Sequence, residues 1–240
     1  MALPARPVAT ATPFHELLRL DPARCLLVPI DMQEEHRADP RYLVAGYDRV
    51  LGNAARLLAA ARAAGVPCLH AGYLRDFTRV PPRPFEPVEA DGTPAFSAPG
   101  SALTAFCPEV APLEDEAVVL KNDLSCFSEP AFRAHVAALA PEWLVICGVW
   151  SEACVSATVR DAVAAGYRVL LVRDACGSGS AAMHEVAVIT LANRLYGGAV
   201  CDTARACALL AGEEALAWRL SGAAPLRFDP AGITPLYDSF

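Results

Sequence analysis

Residues 143–160 read WLVICGVWSEACVSATVR, and this stretch decides the fold because it joins a strand directly to a helix. Residues 143–147 are continuously apolar, which is typical of a strand covered on both faces of a parallel sheet. Residues 154–165 have helical periodicity, and Gly166 follows at a position where helix ends favour glycine. The stretch therefore predicts a βα unit with Cys154 at the start of its helix.

The same alternation of apolar runs and helical segments continues along the chain and predicts an α/β fold. We expect a three-layer αβα sandwich with a Rossmann-like, six-stranded, mainly parallel sheet in the order 3-2-1-4-5-6. The predicted strands are 25–30, 67–71, 117–120, 143–147, 168–172 and 199–201. The predicted helices are 47–64, 129–139, 154–165, 181–195 and 203–210.

Length and composition indicate one compact domain. A chain of 240 residues can bury one sizeable core, so we expect residues 1–240 to form a single domain. No apolar run approaches the roughly 18 residues that span a bilayer, and the basic residues are scattered over a chain of net charge -7. These features argue against membrane and nucleic-acid partners and favour a small molecule. The N-terminal residues lack the apolar segment of a secretory signal, so we expect a cytoplasmic protein.

Two segments depart from the βα pattern. Residues 72–112 are irregular and rich in proline, and a long insertion of this kind is often functional. We interpret it as an active-site loop region that supplies a wall or a lid, although it is also compatible with an ordinary surface loop. Residues 213–240 are too apolar for a free tail, so we expect a C-terminal arm that packs on its own subunit or on a neighbour.

The nine cysteines show no disulfide or zinc pattern, because their number is odd, their spacing is even and no CxxC pair is present. Most lie in apolar runs, where a thiol behaves as a small core hydrophobe. Cys154 is the exception. A cysteine at a helix N-terminus feels the positive end of the helix dipole, and a nearby ammonium would favour its thiolate further.

Reactive side chains end two other predicted strands. Asp31 follows LLVPI, and Lys121 follows AVVL. Ligands of open α/β sheets bind at the carboxyl ends of the strands, so Asp31, Lys121 and Cys154 are expected to meet there. A strand two places away is about 10 Å distant, a gap that a lysine side chain can largely bridge. The set suits a cysteine nucleophile with a carboxylate proton acceptor.

Three motifs then resemble a known family. They are IDMQ at 30–33, LK at 120–121 followed by SCF at 125–127, and GVWSEACVSATVRDAVAAGYRVLLVRDAC at 148–176. Together they resemble the isochorismatase-like cysteine hydrolases, which include N-carbamoylsarcosine amidase, nicotinamidase, biuret hydrolase and the maleamate and ureidoacrylate amidohydrolases. The resemblance covers about residues 24–210.

The resemblance implies a catalytic triad of Asp31, Lys121 and Cys154, the same residues that the strand ends indicate. It also implies a cis peptide bond between Val149 and Trp150. In this arrangement the Trp150 N–H would turn toward the substrate and form an oxyanion hole with the Cys154 N–H. Loss of one such donor typically slows a reaction about 100- to 1000-fold.

The departures from family relatives concern the metal and the substrate. Nicotinamidases carry an Asp-x-His cluster with further histidines after the second strand, whereas this region reads HAGYLRDF with only His70. We therefore expect no metal and no cofactor. The arginine that grips a carboxylate in N-carbamoylsarcosine amidase would fall near Gly179, where no arginine stands. Arg75 or Arg173 would have to replace it, and Arg75 is favoured by its place after the second strand.

Four more residues are predicted to bind substrate. Trp150 stands where the family often has a small residue, so its indole is expected to wall the pocket or to stack on the substrate. Gln33, Tyr73 and Phe127 are inferred from their positions beside the triad motifs.

The leading hypothesis is a metal-independent hydrolase that cleaves the C–N bond of a small amide, carbamoyl or ureido compound. The reaction would pass through a Cys154 thioester and release ammonia or an amine. Two alternatives remain open: isochorismatase-type vinyl ether hydrolysis, which needs the aspartate but not the cysteine, and a non-catalytic or redox-sensing thiol protein on the same fold. The resemblance also implies a homo-oligomer, either a dimer or a tetramer.

Overall fold

The computed structural model describes residues 12–221 and 226–240, and these contain one eight-stranded sheet. Its strands are β1 (Thr12–Arg19), β2 (Cys25–Ile30), β3 (Leu69–Tyr73), β4 (Ala117–Lys121), β5 (Trp143–Val149), β6 (Arg168–Gly177), β7 (Ala199–Cys201) and β8 (Glu214–Ser221). They lie in the order β1-β8-β7-β6-β5-β2-β3-β4.

The six strands from β2 to β7 are parallel and form the centre of the sheet. Their order confirms the predicted 3-2-1-4-5-6 arrangement. Every residue of β2 and β5 is buried, as expected for strands covered on both faces. The sheet thus places the carboxyl ends of β2, β3, β4 and β5 along one edge.

The predicted count of six strands was wrong, because β8 and β1 extend the sheet beyond β7 as antiparallel strands. In β8 the exposed Glu214 is followed by the buried Ala215 and Ala217, with an exposed residue between them. Such alternation is typical of an antiparallel strand with one solvated face and is weaker than the continuous apolar runs of the centre. Residues 213–221 of the predicted arm are therefore mostly sheet.

Seven helices lie in the described residues. They are α1 (Glu35–Ala38), α2 (Tyr47–Ala63), α3 (Pro130–Leu139), α4 (Ser156–Ala164), α5 (Ala181–Ala192), α6 (Thr203–Leu210) and α7 (Ile233–Asp238). The side chains of Ser180 and Asp202 accept backbone N–H groups at the starts of α5 and α6, which satisfies donors that a helix leaves unpaired. A π-helical turn at Ser151–Val155 precedes α4, so the regular helix begins two residues later than predicted.

Two apolar layers enclose the sheet. On one face α2 and α6 pack over strand residues such as Leu27, Val145 and Leu170. On the other face α3, α4 and α5 pack over the alternate residues, such as Leu26 and Leu144. The three-layer αβα architecture predicted from the sequence is confirmed.

The described part of the C-terminal segment packs on its own chain. The Phe240 side chain is buried, and its ring centroid lies 4.5 Å from that of Trp218 on β8. Within residues 12–221 and 226–240, no helix is long and apolar enough to cross a membrane. The N-terminal segment on which the expected location depends lies largely outside the described residues.

Candidate active site

Three reactive side chains meet at the carboxyl ends of β2, β4 and β5. Asp31 directly follows β2, Lys121 is the last residue of β4, and Cys154 lies in the π-helical turn between β5 and α4. Strand β3 separates β2 from β4, so the lysine side chain has to cross it. It does so over Tyr73, the last residue of β3, with Nζ 4.1 Å from the centroid of the tyrosine ring.

The ammonium of Lys121 joins the other two groups. Its Nζ lies 2.8 Å from Oδ2 of Asp31 and donates to Sγ of Cys154 at 3.2 Å and to the Asp123 carbonyl at 3.2 Å. All three reactive side chains are buried. The second carboxylate oxygen of Asp31, Oδ1, is buried without a hydrogen-bond partner in the described part of the chain. It is therefore a free acceptor beside the thiol.

A glycine allows the strands behind the site to approach closely. Gly148 on β5 has a φ of 130°, and a Cβ added there would lie 2.1 Å from the Ile30 carbonyl oxygen on β2. Only glycine fits this contact. Ile30 precedes Asp31 and Gly148 lies six residues before Cys154, so the close approach sets the separation of the two groups.

The charge state differs from the sequence-based expectation. Burial opposes the charge on Lys121, but the Asp31 carboxylate and the Cys154 sulfur outweigh it and raise the lysine pKa. Burial, with the Asp31 carboxylate, holds the pKa of the Cys154 thiol well above its usual range, and the Lys121 ammonium offsets this only in part. Desolvation and the neighbouring carboxylate therefore oppose the thiolate that the helix start was expected to favour.

A cavity of about 380 Å³ opens onto Cys154. Aromatic side chains form one part of its wall, with Tyr73 packed against Phe96 and Phe96 packed against Tyr42. Trp150 and His36 form another part of the wall. The prediction that the 72–112 segment supplies a wall of the site agrees with the position of Phe96 and Ser97 in this lining.

Trp150 is held in place from two sides. Its Nε1 donates to Nδ1 of His36 at 3.2 Å, and the same imidazole nitrogen lies 3.3 Å from the Tyr42 carbonyl oxygen. On its other side the indole occupies the space above Gly179, where an added Cβ would lie 2.7 Å from Cζ3 of Trp150. The indole of Trp150 therefore fits only because Gly179 has no side chain.

Three predicted substrate-binding residues do not reach the cavity. The Gln33 side chain is committed to the backbone, donating to the carbonyls of Tyr73 and Thr104 and accepting from the Tyr73 N–H. Arg75 is fully buried and binds the Glu86 carboxylate together with loop carbonyls. Phe127 packs between Phe132 and Tyr167. These side chains lie outside the cavity lining, because a place beside a motif does not fix the direction of a side chain.

Arg173 does not reach the cavity either, since its guanidinium stacks over the ring of Tyr237 on α7. Tyr73 and Trp150, in contrast, lie in the cavity wall where the sequence placed them. The peptide bond between Val149 and Trp150 is cis, and the Trp150 and Cys154 residues that carry the predicted oxyanion donors both line the cavity.

Sequence reasoning missed the residues that follow Asp31. Glu35, His36, Arg41 and Tyr42 all line the cavity, and their clustering after a strand-end aspartate was an available signal. It also missed that Lys121 is the only lysine in the chain. A single lysine that ends an apolar strand is unlikely to be one more solvated surface charge.

The residues described here hold no group of three or more His, Cys, Asp or Glu side chains placed to bind a metal ion. His70, which lies within β3, is buried, and its Nε2 lies 3.0 Å from the Glu116 carboxylate. It lies outside the cavity lining.

The chain resembles known proteins in both sequence and fold. The sequence model of the isochorismatase domain matches residues 25–205. A ureidoacrylate amidohydrolase of Methylobacterium radiotolerans is 26% identical over 233 residues, which cover 85% of this chain and 83% of that protein. A maleamate amidohydrolase of Pseudomonas putida is 30% identical over 101 residues, covering 42% of this chain and 47% of that protein.

A hydrolase of the isochorismatase family from Chromobacterium violaceum, known from a crystal structure, shares the fold. Its TM-score is 0.68 at 28% identity, and the match covers 81% of this chain and 97% of that one. The domain match spans most of the chain, so the chain belongs to the isochorismatase family of hydrolases.

Proposed function

We propose that the protein hydrolyses the C–N bond of a small amide, carbamoyl or ureido compound through a thioester on Cys154. The observation that carries the proposal is the position of Lys121 Nζ between Asp31 and Cys154, at 2.8 Å and 3.2 Å. The arrangement holds a nucleophile, a proton acceptor and a fixed cation in a buried site. Two relatives with amidohydrolase names support the same reaction class.

In the first half-reaction, Asp31 accepts the proton of the Cys154 thiol as Sγ attacks the carbonyl carbon of the substrate. Oδ1 is the oxygen in position for this, because Oδ2 is occupied by Lys121. The tetrahedral intermediate then collapses, the C–N bond breaks, and Asp31 returns the proton to the departing nitrogen. A thioester remains on Cys154 and ammonia or an amine leaves.

In the second half-reaction, Asp31 takes a proton from a water molecule that attacks the thioester carbonyl. Collapse of this intermediate breaks the C–S bond, releases the acid, and returns the proton to the sulfur. The Lys121 ammonium stays charged throughout, since its raised pKa keeps it protonated at neutral pH. It orients the carboxylate and stabilises negative charge on the sulfur.

The backbone N–H groups of Trp150 and Cys154 are the proposed oxyanion donors. Both residues line the cavity at the nucleophile, which supports this assignment. Tyr73 and Trp150 are the proposed walls that orient the substrate. No step of the proposed reaction uses a metal.

The experiment is a panel of small amides and ureas, maleamate and ureidoacrylate included, assayed for ammonia release. Turnover is expected in the wild type and in the presence of a chelator, and its loss is expected in Cys154→Ala, Asp31→Asn and Lys121→Ala variants that remain folded. Cys126→Ala is the matched control, because Cys126 is buried nearby but lies outside the cavity lining. Full turnover in Cys154→Ala would refute the thioester route and favour chemistry that needs only the aspartate.

A further inference from the structure

The cavity wall carries a buried carboxylate that the proposed reaction does not use. Glu35 on α1 is 5% exposed and lines the cavity. Its two oxygens accept from the Ser97 N–H at 2.8 Å and from the Ser97 hydroxyl at 2.7 Å. Among the described residues it forms no ion pair with a cation, so it presents a fixed negative charge to the substrate.

The one arginine in the lining does not compensate that charge. Arg41 donates to the Asp39 carboxylate from Nε and Nη2, at 3.1 Å and 2.9 Å, and to Glu89 from Nη1 at 2.9 Å. Its guanidinium also stacks over the Tyr42 ring. Two carboxylates therefore already balance this cation, and its Nε, Nη1 and Nη2 atoms each donate to one of them.

The remaining polar group of the wall is uncharged. His36 is buried, and burial lowers its pKa, so the imidazole is neutral at physiological pH and accepts from Trp150. The Lys121 ammonium is balanced by Asp31. Aromatic rings, Leu124 and Ala153 make up most of the remaining wall, beside Ser97, whose hydroxyl is bound to Glu35. This leaves a pocket of net negative character with largely apolar sides.

From this arrangement we propose that the substrate is an uncharged amide with a planar apolar or aromatic acyl group, and that Glu35 excludes acyl groups carrying a carboxylate. The inference rests on the proposed function, since it concerns the acyl half of the same substrate. A substrate carboxylate would be desolvated beside a buried like charge and would find no free cation in the described lining. The class differs from maleamate, which carries a carboxylate next to its amide.

Two matched pairs test the inference: benzamide with 4-carbamoylbenzoate, and maleamide with maleamate. We expect each neutral member to bind the Cys154→Ala variant at least about tenfold more tightly than its anionic partner, and wild-type kcat/KM to follow the same order. In Glu35→Gln the preference should fall severalfold. Glu34→Gln is the control, because Glu34 is adjacent, pairs with Arg37 and lies outside the cavity lining.

Equal or tighter binding of the anionic members would overturn the inference, as would failure of the neutral members to bind at millimolar concentration. An unchanged preference in Glu35→Gln would overturn the role of Glu35. These results are separate from failure of the proposed function, which would appear as turnover that survives Cys154→Ala, whichever pair member is preferred.

A different observation carries a second inference, about the turn that holds the nucleophile. Ser151 Oγ donates to the Gly177 carbonyl at 2.9 Å, so the 2.7 Å contact with His184 Nδ1 is a hydrogen bond donated by the histidine. His184 Nε2 lies 2.9 Å from the Tyr237 hydroxyl, and the imidazole also contacts the Arg173 backbone carbonyl. Burial lowers the His184 pKa to about 4, which keeps this imidazole neutral.

We infer that Tyr237 and His184 are positioning residues that hold Ser151, and with it the turn carrying Trp150 and Cys154. The chain of hydrogen bonds runs from α7 through α5 to the turn. Thus α7, although remote from the cavity, is expected to influence the rate of the chemical step.

The test compares Tyr237→Phe with Thr234→Val. Each removes one hydrogen bond between α7 and α5, because Thr234 donates to Glu185 at 2.7 Å, but only Tyr237 belongs to the chain. We expect Tyr237→Phe to lower kcat about fivefold with little change in KM, and Thr234→Val to leave kcat unchanged. The ¹⁵N spectrum of wild-type His184 should show the proton on Nδ1. A proton on Nε2, or equal kcat in the two variants, would overturn the inference.

Discussion

Replacing Lys121 with methionine should strongly destabilise the protein. The substitution keeps most of the side-chain volume but removes the ammonium 2.8 Å from Asp31, where both side chains are at most 3% exposed. Removing one partner of a buried ion pair leaves the other charge uncompensated, which costs about 3–5 kcal/mol. In a domain of this size each kcal/mol corresponds to about 2–4 °C in Tm, so we expect Tm to fall by about 6–20 °C.

Thermal and urea unfolding followed by circular dichroism measure this change. The control is Arg168→Met, which breaks the ion pair between Arg168 and Glu142, whose side chains are 52% and 28% exposed. An exposed pair contributes about 0–1 kcal/mol, so Tm should change little. The double variant Asp31→Asn, Lys121→Met leaves no charge behind and should be more stable than Lys121→Met alone. A Tm loss no larger than that of Arg168→Met, or a double variant less stable than the single one, would refute the reasoning.

Four further predictions concern the same site. Because Lys121 is the only lysine, ¹⁵Nζ labelling of lysine should give one side-chain signal, and the raised pKa of Lys121 predicts that this signal remains that of an ammonium beyond about pH 10.5. The stability that the charged lysine contributes should persist through neutral pH and be lost only as pH rises above that range. Titration of the signal below about pH 10 would contradict the raised pKa. The rate at which iodoacetamide alkylates Cys154, measured from the mass of the intact protein, should still rise between about pH 8 and pH 10, because the thiol pKa is raised. A rate that reaches its plateau below about pH 7 would indicate a resting thiolate. Gly148→Ala should lower the free energy of unfolding by about 3 kcal/mol or more, because its Cβ would lie 2.1 Å from the Ile30 carbonyl oxygen, whereas Gly52→Ala, with nothing within 4 Å, should not destabilise. Gly179→Ala should displace the Trp150 indole and raise KM about tenfold with little change in Tm; an unchanged KM would show that Trp150 does not shape the substrate pocket.

The central sheet could be predicted because its strands obey one simple rule. Parallel strands covered on both faces require continuous apolar runs, and such runs stand out in sequence. The edge strands β1 and β8 follow a different rule. An ion pair between Glu16 and Arg219 joins the two strands, and each strand mixes polar with apolar residues. In sequence, neither segment therefore differs clearly from an amphipathic loop or arm.

The meeting of Asp31 and Lys121 could be predicted because it depends mainly on the sheet. Asp31 and Lys121 end strands, and the carboxyl ends of parallel strands meet at one edge whatever the loops do. The cavity wall could not be predicted in the same way. Gln33 lies two residues from Asp31, yet its side chain binds the backbone of Tyr73, and Arg75 lies two residues beyond Tyr73, yet it binds Glu86. Loop conformation decides these directions, and no local periodicity encodes it.

The measurement that tests the central claim most directly is the mass of the protein during turnover. A slowly hydrolysed amide is mixed with the wild-type protein, and the reaction is quenched in acid at short times. The mass of the intact protein is then measured, and peptide mapping locates any adduct. The account predicts a transient mass increase equal to the acyl group, located on Cys154 and absent in Cys154→Ala. Turnover without any acyl adduct, or an adduct on another residue, would contradict it.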